Sequence, residues 1–352
     1  MVVFEVISSR TQTALAGVTG SSRPAGALAG ALRIGFRPIA DRLPERYALS
    51  LLRAALDTGA RLLRPDPTVT IVELDDLADE SNGLLPGEWV LPAEPGDGAI
   101  LYLHGGGFAS GSPSTHRAIT GRLAADTGLP VLVPDYRLAP EHPFPAAFED
   151  GLDAYRWLLD QGIPASKIVV VGDSSGGHLA AAVVGEASRL GLPSPAGVVL
   201  FSPWVDLTCE LSALGDRECR DPFISPELAQ HFSRLYVGDE DWSDPRLSLL
   251  DLAGLDLPPF LVQVGGIEAL RAEAEHLVEA LTDAGASCEL QVWPGQMHVF
   301  QFFNRLFPEA GAAMTEAAAF VRSHVEAAED EALDELAEAV DEIFEEVLDE
   351  AA

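Results

Sequence analysis

Lysine is all but missing from this sequence. Lys167 is the single one, so the 22 basic residues are otherwise arginines, and 55 acidic residues outweigh them to a formal charge of −33. Such an excess of acid argues against nucleic acid and anionic membrane surfaces as partners, since both repel it. Low lysine beside high acid fits adaptation to salt and an arginine-biased codon usage equally. Cysteine is scarce too. Cys209, Cys219 and Cys288 are an odd count that makes no disulfide framework, and no Cys/His spacing suggests a metal site. They read as buried or incidental thiols of a reducing compartment. No run approaches the roughly 18 consecutive apolar residues that a membrane span needs. The opening MVVFEVISSR brings in Glu5 early and lacks the basic start and apolar stretch of a secretory leader, so the cytoplasm is the expected location.

What is present is enough apolar material for one large core: 352 residues, 47% hydrophobic, with a mean hydropathy of +0.15. Short β-branched runs alternate with longer helical stretches, the pattern of a mostly parallel sheet covered by helices. Eight strands are expected, at 68–74, 88–92, 99–105, 130–136, 167–173, 197–204, 260–266 and 288–294. The first two can form an antiparallel start, and the later ones are apolar throughout, as strands buried on both faces should be. Helices are expected over 114–127, 144–161, 176–190, 269–285 and 309–327.

Three regions stand outside this alternation. Residues 1–65 read as two or three helices, and residues 1–64 hold nine arginines against four acids. Residues 205–257 are too long for a bare connection and carry Phe223, Phe232, Tyr236 and Trp242 in a helix-like stretch opening near Ser225-Pro226. Both are candidates for a cap over a catalytic domain spanning 66–325. Residues 326–352 contain thirteen acids and no base, with Leu333, Leu336, Val340, Ile343 and Val347 at helical spacing. Two readings of this tail stand: a disordered solubilising segment, or a helix docking on the arginine-rich N-terminal segment, within one chain or across a homodimer.

The chemistry is concentrated in two glycine-rich stretches. Gly172-Asp173-Ser174-Ser175-Gly176 matches G-x-S-x-G and sits between an apolar strand and an Ala/Val-rich helix, the strand–turn–helix of a nucleophile elbow. Small residues are needed there because the turn is tight. It lifts the Ser174 hydroxyl to a helix N-terminus, where negative charge is favoured. The competing reading, a phosphate-binding loop, lacks both the P-loop lysine and the dinucleotide glycine spacing. His104-Gly105-Gly106-Gly107-Phe108 follows the third strand. Backbone N–H groups of Gly106 and Gly107, with that of Ser175, can converge on an oxyanion. His104 precedes the nucleophile and is expected to hold the loop, not to transfer protons.

With a serine in such an elbow, the acid follows in the loop after the seventh strand and the base after the eighth. Glu268 and His298 occupy those positions. Either has a bland alternative: His298 as a core or surface histidine, Glu268 as an acid at a helix N-terminus, with Glu273 and Asp256 as other candidate acids. The expected roles are nucleophile for Ser174, general base and acid for His298, and orienting carboxylate for Glu268.

HGGGF at 104–108, DYRLAPEHPFPAAFED at 135–150, GDSSGG at 172–177 and DPRLSLL at 244–250 resemble the bacterial hormone-sensitive-lipase-like esterases. The likeness runs from the first strand to His298 and its helix. It implies an α/β-hydrolase fold, an eight-stranded sheet with a helical cap built partly from the N-terminus, no cofactor, and a serine carboxylesterase acting on short- to medium-chain esters. HVFQFF after His298 and the long N-terminal segment are similar to the acetyl esterase and monoterpene lactone hydrolase subgroup, which adds lactones. The sequence departs from the family at Ser175, usually Ala, and at Glu268-Ala269-Leu270-Arg271-Ala272-Glu273, where Asp-Pro-Leu-Arg-Asp-Glu is usual. The DYRLAPEHPFP stretch is expected to be a turn under the glycine loop, with Tyr136 and Arg137 in supporting roles. Phe108, Phe223, Phe232 and Tyr236 are candidate pocket residues; the cap aromatics among them can equally be cap core. Two other functions share this scaffold: an amide, carbamate or arylacetamide-type hydrolase, and a catalytically dead ligand receptor, against which the presence of His298 argues.

Overall fold

Helices come first in the structure, a computed structural model that describes residues 20–42, 45–74, 85–250 and 254–327. α1 (Arg23–Ala31), a π turn at Leu32–Phe36 and α2 (Arg37–Ala40) run on to α3 (Glu45–Leu62). There follow β1 (Thr70–Glu73), β2 (Gly87–Leu91), β3 (Ala99–Leu103), α4 (Pro113–Thr127), β4 (Val131–Pro134), α5 (Ala146–Asp160), β5 (Ile168–Asp173), α6 (Ser175–Arg189) and β6 (Gly197–Phe201). α7 (Glu210–Cys219) and α8 (Pro226–Val237) occupy the long insertion, before β7 (Phe260–Gly265), α9 (Arg271–Asp283), β8 (Cys288–Trp293) and a final helix, α10, over 308–327. The acidic tail, apart from its first two residues, and the first nineteen residues lie outside the described residues.

The eight strands form one sheet in the order β1-β2-β4-β3-β5-β6-β7-β8. The start is antiparallel, as the sequence allowed, and it extends one strand further: β2 pairs antiparallel with both β1 and β4, and the remaining pairs are parallel. Every residue of β3 and β5 is buried. Their side chains alternate between two cores: Leu101, Leu103 and Val170 join the layer with α5, α6 and α9, while Ile100, Tyr102, Val169 and Val171 meet α4 and α10 on the other face. A smaller cluster packs Ala25 of α1 with Trp293, Met297, Phe300 and Phe307, docking the N-terminal helices beside the end of β8.

Local signals explain the helix limits around the site. α4 opens on a capping box, the Ser112 side chain accepting from Thr115 N–H and the Thr115 hydroxyl from Ser112 N–H, and it closes on Gly128 at φ 73°. In α8 the Ser225 side chain caps Leu228 N–H with Pro226 in the first turn, where the sequence put the start. Trp242 differs from expectation. It falls beyond Val237, the last residue of α8, and 44% of its surface is exposed. Gly238 at φ 62° ends the helix before it.

Among the described residues no helix is long and apolar enough to cross a membrane. The three cysteines are free thiols, and Cys209 is buried.

Candidate active site

The parallel strands end on one edge of the sheet, and the singled-out residues gather there. β3 leads into His104, β5 into Ser174, β7 into Glu268 and β8 into His298. This is the edge where open parallel sheets bind ligands.

The turn at Ser174 is strained. Its φ of 54° and ψ of −122° are conformations an L-residue rarely adopts. The surrounding backbone imposes them: Ser174 N–H donates to Phe201 C=O at 2.9 Å, and Ser174 C=O accepts from Trp204 N–H at 3.0 Å and His178 N–H at 3.2 Å. The flanking glycines are required by contact. A Cβ on Gly172 would lie 2.2 Å from Gly176 O, and one on Gly176 would lie 2.0 Å from Leu103 O. α6 begins at Ser175, so Ser174 stands at the N-terminus of that helix, where the first backbone N–H groups lack intrahelical partners.

His298 Nε2 stands 2.9 Å from Ser174 Oγ, and His298 Nδ1 stands 3.0 Å from Glu268 Oε2. The other Glu268 oxygen accepts Gly265 N–H at 3.0 Å. The carboxylate is 1% exposed. Burial alone would lower the His298 pKa. The hydrogen bond and charge of Glu268, with the charges of Asp221 and Asp173, raise it above the ordinary imidazole value. A hydroxyl, an imidazole and a carboxylate in this line can draw a proton off Oγ.

The two other candidate acids are elsewhere. Glu273 is buried in the first turn of α9 and accepts the N–H groups of Val205 at 2.8 Å and Asp206 at 2.9 Å. Burial pushes its pKa up to about 8. Asp256 is exposed and precedes β7, at the opposite end of the strand from Glu268.

The glycine loop is tied to the elbow through Asp173, for which the sequence reading had no role. Its buried carboxylate accepts Tyr102 O–H at 2.6 Å and Gly105 N–H at 3.0 Å, and lies 3.4 Å from His116 Nε2. Burial would raise its pKa, but His116, Tyr102 and Gly105 hold it below the usual value. Gly106 and Gly107 take φ of 127° and 65°. Gly106 C=O accepts from Ser110 Oγ at 2.5 Å, so the Gly107 N–H on the same peptide plane points away from Ser110. His104 is wholly buried, stacks on Tyr136 with 4.2 Å between ring centroids, and has its pKa lowered to about 3 by burial. Tyr136 O–H in turn donates to His104 C=O at 2.5 Å, while Arg137 pairs with Asp150 at 2.7 Å.

Ser175 has a part the sequence did not show. Its Oγ accepts Phe108 N–H at 3.1 Å in a fully buried setting. Ser175→Ala leaves that N–H without this acceptor, which costs about 1–3 kcal/mol. The variant should therefore unfold at lower temperature than the wild type in a thermal scan.

A cavity of about 330 Å³ opens above Ser174. Gly106, Gly107 and His298 line its floor, and Leu28, Leu52, Phe223 and Phe232 are among its apolar walls. α1, α3, α8 and the segment between α7 and α8 contribute these walls, with Phe36 stacked on Phe223 at 5.3 Å. Of the candidate pocket residues, Phe223 and Phe232 line the cavity. Phe108 and Tyr236 do not: they stack on each other at 3.8 Å inside the core. Phe108 takes a φ of 58° and Tyr236 lies in α8.

Comparison with known proteins bears on the fold and the family. Residues 100–302 match the family described as alpha/beta hydrolase fold. An acetyl-hydrolase of Streptomyces hygroscopicus is 39% identical over 67% of this chain and 79% of its own length. An esterase of Acinetobacter venetianus is 37% identical over 80% of this chain and 92% of its own. The crystal structure of an esterase from the bacterial hormone-sensitive lipase family superposes with a TM-score of 0.76 at 35% identity, covering 87% of this chain and 99% of that one. The crystal structure of EstE5 soaked by p-nitrophenyl butyrate has a TM-score of 0.78 at 33% identity, covering 87% and 100%.

Proposed function

The chain belongs to the α/β-hydrolase fold family, among the esterases of its hormone-sensitive-lipase branch, and on that premise we propose that it cleaves short- to medium-chain carboxylic esters through an acyl intermediate on Ser174. The observation that carries the proposal is the unbroken line from Ser174 Oγ through His298, at 2.9 Å, to Glu268, at 3.0 Å.

In the proposed cycle His298 takes the Ser174 proton as Oγ attacks the ester carbonyl, and returns it to the departing alcohol. Glu268 accepts Nδ1–H, which keeps Nε2 free as the base. The N–H groups of Gly106, Gly107 and Ser175 receive the oxyanion, each such donor contributing about 3 kcal/mol in the transition state. Water then enters by the same route and releases the acid. A ligand receptor would have no use for a base set against a strained hydroxyl.

The cavity supports the substrate range. At about 330 Å³ it is near the lower end of ligand pockets, and its walls are apolar. Short acyl chains fit this volume, and relatives named acetyl-hydrolase and ethyl acetate hydrolase fit the same range. Lactones present the same carbonyl and are included in the proposal.

Two measurements test it. A dialkyl p-nitrophenyl phosphate should add one dialkylphosphoryl group to the peptide containing Ser174 and abolish activity in step; labelling elsewhere would refute the nucleophile. Across p-nitrophenyl esters, a lactone and an anilide, kcat/KM should peak at short to medium acyl chains and include lactone turnover. A steady rise to long chains would refute the size reading, and preference for the anilide would replace esters by amides.

A further inference from the structure

Between the cap and the site lies a buried carboxylate that the proposed mechanism does not use. Asp221 follows α7, and its side chain is wholly buried. Its Oδ1 accepts the N–H groups of Phe223 at 2.6 Å and Ile224 at 2.9 Å, and its Oδ2 accepts Ala269 N–H at 2.8 Å. Ala269 is the residue after Glu268, at the position where the resembling family carries proline, which has no N–H to give.

Asp221 is itself anchored from the N-terminal helices. Arg37, 4% exposed, donates through Nη1 to the carbonyls of Asp221 at 2.7 Å and Ile224 at 2.8 Å. The same guanidinium grips Asp216 with two hydrogen bonds, at 3.0 and 2.9 Å, and Asp216 Oδ1 accepts Asp221 N–H at 2.8 Å. Burial works against the Arg37 charge, but Asp216 and Asp41 more than offset it and raise its pKa. α7 also comes close to the acid loop, since a Cβ on Gly215 would lie 2.3 Å from Ala269 O. A continuous polar path thus runs from α2 through the insertion to the loop that carries Glu268.

We propose that Asp221 is a positioning residue: held by Arg37 and Asp216, its carboxylate takes the Ala269 N–H and fixes the loop from which Glu268 reaches His298. It does for this loop what proline's ring does in the related motif, and it links the arrangement of the cap to the alignment of the site. The idea rests on the roles given above to Ser174, Glu268 and His298.

Asp221→Asn tests it. The amide oxygen still serves Phe223 and Ile224, but the amide NH₂ then faces Ala269 N–H, donor against donor. With the acid loop displaced, kcat for p-nitrophenyl butyrate should fall about tenfold or more while KM changes little. The carboxylates whose charges raise the His298 pKa are Glu268, Asp221 and Asp173. Losing one of them lowers the imidazole pKa, so the acid limb of kcat/KM should move to lower pH. Wild-type kcat with an unmoved acid limb overturns the proposal, even if the melting temperature drops. Should Asp221→Asn fail to fold, Arg37→Lys decides: it keeps the charge but loses the fork, and kcat must again fall at constant KM, a wild-type kcat refuting the clamp. Ser174→Ala is run alongside. Activity surviving there sinks the underlying mechanism, whereas an inactive Ser174→Ala beside a normal Asp221→Asn sinks the clamp alone.

Discussion

Ser174→Ala is expected to lose roughly 10⁵- to 10⁶-fold in kcat on p-nitrophenyl butyrate, the largest effect of any single change. The substitution removes one oxygen and leaves everything that shapes the turn. Its φ of 54° is set by the backbone hydrogen bonds to Phe201, His178 and Trp204, none of which involves the hydroxyl, so the fold and melting temperature should hold. The glycine loop and cavity are likewise untouched, so substrate affinity should stay within a few-fold. A residual rate some 10³-fold above water is expected from the oxyanion donors and from binding alone. The measurement is turnover on protein free of wild-type contamination, with binding of a product acid measured separately. Turnover within a hundredfold of wild type would mean that another nucleophile, or water activated directly by His298, carries the reaction.

Much of this site was legible in the sequence because its geometry is local. An elbow needs a strand, five residues and a helix, all contiguous, and the glycines exclude other turns by contact. The order of acid and base along the chain follows from the ends of β7 and β8. The sequence favoured Glu268 by its place after the seventh strand and left Glu273 and Asp256 as alternatives. Glu268 and Glu273 are five residues apart, and the side on which α9 starts decides between them. It starts at Arg271, so Glu273 points to the Val205–Asp206 backbone while Glu268 stays in the loop. Asp221 and Arg37 were hidden for another reason. Arg37 meets Asp216 across 179 residues of sequence, and Asp221 meets Ala269 across 48. The arginine richness of the first 64 residues was visible; its use was not. In the structure Arg33, Arg37 and Arg53 hold α1–α3 to the insertion and to the residues beside the glycine loop. Of the four pocket aromatics the sequence offered, Phe223 and Phe232 line the cavity, while Phe108 and Tyr236 stack on each other in the core.

Glu268→Gln should cost about 10³- to 10⁴-fold in kcat, more than the loss of one charge suggests, because of how the side chain is held. One carboxylate oxygen accepts Gly265 N–H at 3.0 Å and the other faces His298 Nδ1 at 3.0 Å. A glutamine keeps its carbonyl oxygen on Gly265 N–H, since its NH₂ cannot accept there. That turns the NH₂ towards Nδ1. Nδ1 then becomes the acceptor, the imidazole proton moves to Nε2, and the nitrogen 2.9 Å from Ser174 Oγ donates instead of taking the proton. The base is lost through its tautomer with every heavy atom in place. The pH profile separates this from simple misfolding. In the proposed cycle the base is neutral His298, so activity should fall on acidification through its pKa, which Glu268 raises. In wild type the acid limb should therefore lie above the ordinary imidazole value. Removing the carboxylate charge should move it down while the plateau drops. A plateau within tenfold of wild type would move the orienting acid to another residue, and Asp221, a second buried carboxylate whose charge acts on His298, would be the first to test.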